Sequence, residues 1–272
     1  MINIKLKNFE ISNNHPFILI AGPCVLESRE HALKIASKIN EICVDLEINF
    51  IFKSSFDKAN RTSINSSRGI GLNEAIKIFK DIKEKFNCPI LTDVHKENQC
   101  DQLVEVVDIL QIPAFLCRQT DLLLAAGSTQ KIINIKKGQF ISPYEVPKII
   151  EKIKSTNNDK ILLTERGFCF GYNNLVNDFR SIAIMKKTGY PVIFDATHSV
   201  QEPGSIGETT GGKKEFIPVL SKAAISVGIA GLFIETHDNP ENAPSDGSNM
   251  LNINNLKKLL SILLKIDKVV KN

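Results

Sequence analysis

The chain has 272 residues, of which 43% are hydrophobic and 24% are charged, so a disordered or fibrous protein is excluded. The formal net charge of +4 comes from basic residues spread over the whole length, which argues against a nucleic-acid-binding protein and favours small anionic ligands. The first fourteen residues lack an apolar core behind a basic end, and no later run approaches eighteen uncharged apolar residues. We therefore expect a cytoplasmic protein that does not contact a membrane.

The first part of the chain, residues 1–13, is predicted to form a small β-hairpin ahead of the main fold. Apolar and polar residues alternate from 2 to 12, with a break at Lys7 and Asn8. Eight apolar runs rich in β-branched residues follow, and they begin near Phe17, Phe50, Pro89, Ile109, Ile132, Lys160, Pro191 and Gly231.

The segments between these runs carry apolar residues at helical spacing. Examples are Ala32, Ile35, Ala36, Ile39 and Ile42, and later Ala75, Ile76, Phe79 and Ile82. Eight successive strand–helix units without a Gly- or Pro-rich linker predict an α/β protein, a (β/α)8 TIM barrel that forms one domain over residues 1–272. An open doubly wound sheet is the alternative, and it is disfavoured because no G-x-G-x-x-G motif follows the first strand.

Polar side chains at the predicted strand ends support the barrel, because chemistry in that fold sits where the strands end. In chain order they are Cys24 and Glu27, Lys53, Asp93 and His95, Gln111, Lys136, Glu165 and Arg166, Asp195 and His198, and Glu235 and His237. Any single one could cap a helix or face water. To place the whole set together at one end of a barrel costs free energy unless these residues bind a ligand.

One stretch, KSSFDKANRTS at 53–63, predicts an anion site because it places Lys53, Lys58 and Arg61 directly after a buried strand. One phosphate seldom needs three cations, so the stretch favours two phosphorylated substrates, although a solvated basic loop is an alternative. Lys136 and Arg166 would join these cations if the barrel closes, and would help to hold a phosphate and a neighbouring carboxylate.

A second set, Cys24, His198, Glu235 and Asp246, offers a thiolate, an imidazole and two carboxylates. Such a set suits one divalent metal ion, either zinc, iron(II) or manganese. The ligands span more than two hundred residues and form no local motif, and a Cys after Gly-Pro is more often a packing residue.

Two further features are open to interpretation. The six cysteines show no CxxC spacing, so apart from Cys24 most are expected to be small buried hydrophobes. The Gly-rich stretch 204–212 predicts a mobile loop rather than a strand or helix, either a lid over the strand ends or a surface connection.

Long motifs distributed over nearly the whole chain carry a resemblance to a known family. They are IAGPCVLES at 20–28, KSSFDKANR at 53–61, LTDVH at 91–95, QIPAFLCRQTDLL at 111–123, NIKKGQF at 134–140, TERGFCFGYNNLV at 164–176, FDATHSVQ at 194–201 and FIETH at 233–237. Together they closely resemble the 3-deoxy-D-manno-octulosonate-8-phosphate synthase family. The resemblance implies a barrel, usually homotetrameric with an N-terminal hairpin. It also implies condensation of phosphoenolpyruvate, D-arabinose 5-phosphate and water, a step in lipopolysaccharide sugar synthesis.

The resemblance also implies roles for individual residues. The phosphoenolpyruvate contacts would be Lys53, Lys58, Lys136 and Arg166, with Gln111, Ala114 and Phe115 lining the pocket. The arabinose 5-phosphate contacts would be Asn60, Arg61 and Thr62, with Arg118 reaching in from a neighbouring subunit and Thr210 standing where the family has a serine. Asp93 and His198 would handle protons, beside the catalytic lysines Lys53 and Lys58.

The family divides into metal-dependent members with a Cys after Gly-Pro and metal-independent members with an Asn there. With Cys24, His198, Glu235 and Asp246, this chain resembles the metal-dependent branch. Two alternatives remain. One is 3-deoxy-D-arabino-heptulosonate-7-phosphate synthase, which uses erythrose 4-phosphate and has a Lys-Pro-Arg-Thr type of segment where this chain has KANR at 58–61. The other is a non-catalytic sugar-phosphate-binding barrel, which would have little need for four metal-type ligands.

Overall fold

The computed structural model describes residues 1–61, 63–206 and 209–271, and for 203–206, 209 and 210 it describes the backbone only. Eight parallel strands form the centre of the molecule. They are β1 (Ile18–Gly22), β2 (Phe50–Lys53), β3 (Ile90–Asp93), β4 (Ile109–Ile112), β5 (Ile132–Lys136), β6 (Ile161–Glu165), β7 (Val192–Asp195) and β8 (Gly231–His237). Each strand pairs with the next, and β8 also pairs with β1, so the sheet closes on itself. The predicted TIM barrel is confirmed, and the open doubly wound sheet is excluded.

A main helix follows each strand. The eight are α1 (Arg29–Asp45), α2 (Leu72–Phe86), α3 (Glu97–Leu103), α4 (Thr120–Ser128), α5 (Val146–Lys154), α6 (Arg180–Lys186), α7 (Ile217–Ser226) and α8 (Leu256–Lys271). Helix α1 begins after Ser28, whose side chain accepts a hydrogen bond from the backbone N–H of His31. Its predicted apolar face is buried, although the last turn buries Cys43 more fully than Ile42.

The predicted N-terminal hairpin is present, with Ile4–Leu6 antiparallel to Phe9–Ile11. Its residues Ile4, Leu6 and Ile11 are at most 6% exposed and pack into the apolar cluster inside the lower barrel, together with Ile18 and Ile51. A larger apolar cluster lies between the strands and the surrounding helices. Because the hairpin covers the amino-terminal end of the barrel, the carboxyl-terminal end is left for the polar side chains.

Two further hairpins lie beyond the carboxyl ends of the strands. One pairs Phe168–Cys169 with Leu175–Val176, and the other pairs Gln201–Ile206 with Thr209–Gly212. The prediction of a loop rather than a strand is therefore wrong for 204–206 and 209–212, and its residues 207 and 208 lie outside the described residues. Glycine favours a turn, but here the backbone pairs in extended form, and Gly212 is needed because an added Cβ would lie 1.4 Å from Asn249 Oδ1.

The remaining short elements complete the chain. Strand Leu251–Asn252 pairs with the end of β8, and 3-10 helices occur at Ala114–Leu116, Pro143–Glu145, His198–Val200, Lys214–Phe216, Pro240–Asn242 and Ile253–Asn255. Five cysteines are buried as expected, whereas Cys169 is exposed on its hairpin. Within the described ranges, none of the helices combines the length and apolar character needed to cross a bilayer.

Candidate active site and metal site

A chain of buried hydrogen bonds crosses strands β3 to β6 at the carboxyl-terminal end of the barrel. Asp93 accepts from the Ser55 hydroxyl and from the Gln111 amide. The Asn134 amide donates to Gln111 Oε1 at 2.8 Å, and the Thr164 hydroxyl donates to Asn134 Oδ1 at 2.6 Å. All five side chains are buried, so this layer fixes the orientation of the Gln111 amide and of the Asp93 carboxylate.

Three of the predicted cations lie next to this layer and are buried. Lys53 Nζ is 2.5 Å from Glu235 Oε1, and Lys58 Nζ is 3.9 Å from the same oxygen. Lys136 Nζ forms an ion pair with Asp195. Burial alone would raise the pKa of Glu235, but Lys53 and Lys58 lower it to about 2. Internal carboxylates thus hold the three lysines in place.

The ring of Phe233 forms the floor beneath two of these lysines. Lys136 Nζ lies 3.4 Å from the ring centroid, and Lys53 Nζ lies 5.4 Å from it. A ring face stabilises a desolvated cation at this range. Burial lowers the pKa of Lys136 to about 8, although the neighbouring Asp195 carboxylate opposes that change. The charge of Lys136 therefore changes near pH 8.

Arg166 follows β6 and supplies the fourth predicted cation. Its side chain donates from Nη2 to Gln201 Oε1 at 2.6 Å, while Nη1 is buried without a hydrogen-bond partner in the described part of the chain. Gln201 in turn donates to Asp246 Oδ1 at 3.0 Å. A buried N–H without a partner costs about 1–3 kcal/mol, so Arg166 is arranged to receive an acceptor from a ligand.

Three of the four predicted metal ligands form one cluster. The ligand atoms of Cys24, Glu235 and Asp246 all lie within 4.8 Å of one another. Cys24 Sγ donates to Asp246 Oδ2 at 3.1 Å, and Glu235 Oε2 is buried with no hydrogen-bond partner among the described residues. His198 lies beside this cluster, with Nε2 3.8 Å from Glu235 Oε2. The donor set fits a zinc-type divalent ion, and the free Glu235 oxygen fits a ligand position.

Asp195, which the sequence predicts only as one of the polar strand-end residues, holds His198 in place. His198 Nδ1 lies 2.8 Å from Asp195 Oδ2, and the backbone N–H of His198 donates to Asp195 Oδ1 at 2.9 Å. This contact leaves Nε2 on the Glu235 side, as in metal-bound histidines that a carboxylate orients. The motif FDATH contains both residues, so their spacing was the available signal.

The protonation of Cys24 also bears on metal binding. Burial raises the pKa of its thiol well above the ordinary value, and the nearby Glu235 carboxylate adds to the effect. A metal ion bound here would therefore displace a proton from sulfur.

The predicted sugar-phosphate residues are dispersed around the mouth of the barrel. Arg61 donates to Ser245 Oγ at 2.8 Å and to the Pro244 carbonyl, which ties it to the loop that carries Asp246. Asn60 and Arg118 are exposed, whereas Cys24 and Glu235 of the cluster are buried.

The other predicted pocket residues lie near the surface or outside the description. Ala114 is partly buried, and Phe115 is 55% exposed. Thr62 lies outside the described residues, as does the side chain of Thr210.

Some of the strand-end residues bind neighbours instead of joining this cluster. Glu165 accepts from the Ser181 hydroxyl and lies 3.5 Å from Lys137 Nζ. Glu27 and His237 pair with each other at 2.8 Å. The polar residues thus lie at one end of the barrel, as predicted, but only some of them lie beside the buried lysines and the Cys24 cluster.

Comparisons with known proteins match this chain over nearly its whole length. The model of the DAHP synthetase I family matches residues 1–272. A 2-dehydro-3-deoxyphosphooctonate aldolase from Rickettsia bellii is 54% identical over 268 residues, which are 98% of each chain. A protein of the same name from Bartonella bacilliformis is 54% identical over 271 residues, covering 100% of this chain and 96% of the relative. Another from Rickettsia canadensis is 55% identical over 268 residues, or 98% of each chain.

Proposed function

The chain belongs to the DAHP synthetase I family, and from that premise we propose that it is a 3-deoxy-D-manno-octulosonate-8-phosphate synthase. It condenses phosphoenolpyruvate with D-arabinose 5-phosphate and water, and it releases inorganic phosphate in a step of lipopolysaccharide sugar synthesis. The family name alone also fits a seven-carbon product. The relatives at 54–55% identity over nearly the full length carry the eight-carbon name, and they support the arabinose 5-phosphate reaction.

The observation that carries the proposal is the group of four buried cations at one end of the barrel. Lys53, Lys58, Lys136 and Arg166 come from β2, the loop after it, β5 and the end of β6. Buried cations are costly unless anions offset them, and here Arg166 Nη1 has no internal partner among the described residues. We assign these four residues to the phosphate and carboxylate of phosphoenolpyruvate, with Gln111 fixed beside them.

In the reaction, C3 of phosphoenolpyruvate forms a bond to the sugar aldehyde carbon, water adds to C2, and the C2–O bond to phosphate breaks. Fixed cations hold two mutually repelling dianions close together and stabilise the charge that develops on the oxygens. Lys53 and Lys58 lower the pKa of Asp93 despite its burial, so Asp93 stays ionised and is suited to orient the water. His198 is held by Asp195 through Nδ1, and its Nε2 faces Glu235 Oε2 at 3.8 Å.

We assign Cys24, His198, Glu235 and Asp246 to one divalent ion and the chain to the metal-dependent branch. The support is the three-residue cluster, the buried Glu235 Oε2 without a partner, and the orientation of His198 by Asp195. Zinc, iron(II) and manganese suit this donor set, and polarisation of a substrate or water oxygen is the chemistry that such an ion supplies when bound.

A homotetramer in which Arg118 reaches a neighbouring site is also part of the proposal. Arg118 is exposed, as an arginine that serves another subunit would be in a single chain. Large exposed aromatic side chains lie on the loops after β4, β5 and β6, namely Phe115, Phe140 and Tyr172. A subunit contact on that side of the barrel would remove these exposed rings from water.

A phosphate-release assay tests the function. The purified chain is given phosphoenolpyruvate alone, then with arabinose 5-phosphate, then with erythrose 4-phosphate. We expect phosphate release only with arabinose 5-phosphate. Release with erythrose 4-phosphate alone would identify the seven-carbon synthase, and release with neither sugar, in metal-loaded protein, would favour a non-catalytic barrel.

A further inference from the structure

A buried ion pair between Lys137 and Glu165 lies next to the turn that carries Arg166. Lys137 directly follows β5, and Glu165 is the last residue of β6. Lys137 Nζ lies 3.5 Å from Glu165 Oε1, and the two side chains are 1% and 3% exposed. A buried ion pair is weak evidence for stability, because desolvation of both charges offsets their attraction. Its place beside Arg166 indicates another role.

The Glu165 carboxylate holds the backbone of the turn. Its Oε1 atom accepts hydrogen bonds from the backbone N–H groups of Arg166, at 2.9 Å, and Gly167, at 2.8 Å. Gly167 has a φ of 95°, in the left-handed region that favours glycine, so the chain bends sharply here. Hydrogen bonds to an ionised acceptor are stronger than neutral ones, so one carboxylate oxygen fixes two consecutive peptide groups.

Lys137 offsets the charge of this carboxylate. In the part of the chain that the structure describes, it is the one cation within ion-pair distance of Glu165. Burial lowers the pKa of Lys137, and the Glu165 carboxylate opposes that change. The Phe168 ring also lies over Lys137, with Nζ 4.6 Å from the ring centroid, and stabilises the desolvated cation.

The two ends of the arrangement differ in what they leave open. The second oxygen of Glu165 accepts from the buried Ser181 hydroxyl of α6, so both carboxylate oxygens have partners inside the protein. Arg166 has one end of its guanidinium fixed, by Nη2 at 2.6 Å from Gln201 Oε1, while Nη1 has no partner among the described residues. Glu165 is therefore a support, and Arg166 is the group that is open to an anion.

We propose that Glu165 and Lys137 are positioning residues that hold Arg166 in the geometry required to bind phosphoenolpyruvate. The inference rests on the proposed function, in which Arg166 contacts that substrate. Glu165 acts through the backbone of residues 166 and 167, and Lys137 offsets the charge of Glu165. Because a displacement of about 1 Å in a binding group is able to cost about 10²-fold, loss of this support should weaken phosphoenolpyruvate binding strongly.

The test compares two double variants of the full chain that differ in one hydrogen-bond acceptor. In Lys137→Met/Glu165→Gln both buried charges are gone, but the glutamine oxygen is able to accept from the same two N–H groups. In Lys137→Met/Glu165→Met the side chain has a similar length and no such acceptor. We expect the Gln variant to bind phosphoenolpyruvate nearly as tightly as the unchanged chain in calorimetry, and the Met variant to bind it roughly 10- to 100-fold more weakly.

Two further readouts separate positioning from a general loss of structure. The KM for phosphoenolpyruvate should rise in the Met variant by the same factor, while the KM for arabinose 5-phosphate stays unchanged. Amide hydrogen exchange at residues 166 and 167 of the ligand-free protein should be faster in the Met variant than in the Gln variant. Circular dichroism checks that both variants are folded, and Glu165→Leu in place of Glu165→Met repeats the comparison if the Met variant does not fold.

An Arg166→Ala background shows whether the effect passes through Arg166. There the Gln and Met double changes should give the same phosphoenolpyruvate affinity, because the group that they position is absent. The inference is overturned if the folded Met variant binds phosphoenolpyruvate as tightly as the Gln variant, or if it remains weaker when residue 166 is alanine. An unchanged chain that binds no phosphoenolpyruvate would instead refute the proposed function, and with it this role of Glu165.

Discussion

Replacement of Cys24 by serine tests directly whether the barrel holds a catalytic metal ion. The side chain is 1% exposed, and its sulfur lies 3.1 Å from Asp246 Oδ2 and 3.2 Å from Ser245 Oγ. A serine hydroxyl has both of these partners in reach, so the metal-free variant should lose no more than about 1 kcal/mol of stability. In a domain of roughly this size that loss lowers the melting temperature by about 2–4 °C.

The effect on metal binding should be much larger. Zinc binding by four protein ligands contributes about 10–16 kcal/mol, or about 2.5–4 kcal/mol for each ligand if the ligands share it equally. A neutral hydroxyl is a far poorer donor than a thiolate. We therefore expect Cys24→Ser to weaken metal affinity by roughly 10² to 10³, with activity falling in parallel.

Two measurements on the same samples distinguish ligation from packing. Bound metal is measured after dialysis at buffered free zinc, and the melting temperature is measured in the metal-free state. If Cys24 is a ligand, metal content falls while the metal-free melting temperature changes little. Full metal occupancy in the serine variant would refute the reasoning and remove Cys24 from the site.

Cys24→Asn adds a functional comparison, because asparagine stands at this position in the metal-independent members of the 3-deoxy-D-manno-octulosonate-8-phosphate synthase family, which this chain resembles. Its amide is able to hydrogen-bond to the water or aldehyde at the same place. We expect this variant to bind no metal at the Cys24 cluster and to keep measurable turnover that chelators do not change. That turnover should exceed the turnover of metal-free Cys24→Ser, and an Asn variant no better than the Ser variant would contradict this account.

Three further outcomes follow from the site. The unchanged chain should lose nearly all turnover after chelation and regain it with a divalent ion, and full activity in a verified metal-free sample would refute the metal-dependent assignment. Arg118→Ala should raise KM for arabinose 5-phosphate by roughly 10- to 150-fold, the equivalent of about 1.5–3 kcal/mol. Arg180→Ala, which changes another exposed arginine, should leave this KM unchanged. If Arg118→Ala raised KM for phosphoenolpyruvate instead, the two phosphate sites would be wrongly divided. Because burial lowers the pKa of Lys136 to about 8, phosphoenolpyruvate affinity should fall as the pH rises through about 8, when this lysine loses its charge. Lys136→Arg should remove that step, since arginine stays charged, and a KM for phosphoenolpyruvate that is constant from about pH 7 to about pH 9 in the unchanged chain would contradict the assignment.

The sequence by itself was sufficient for the architecture. Apolar runs such as FILIAG at 17–22 and helical faces such as that of Ala32, Ile35 and Ile39 repeat eight times, and the barrel follows from that repeat. These patterns are local, because the face that a helix or strand buries depends on residues a few positions apart. Local reasoning failed in the Gly-rich stretch, where Gly211 and Gly212 pair in extended form with Glu202 and Gln201.

Which of the polar residues lie together in the site depends on the tertiary structure. Glu235 lies opposite Gly22 only because β8 pairs with β1 when the barrel closes, and that pairing brings Glu235 near Cys24. The same closure sends Glu27 and His237 to a separate cluster, although they stand only a few residues from Cys24 and Glu235. Such pairings depend on distances between elements more than two hundred residues apart, and no local pattern in the chain contains those distances.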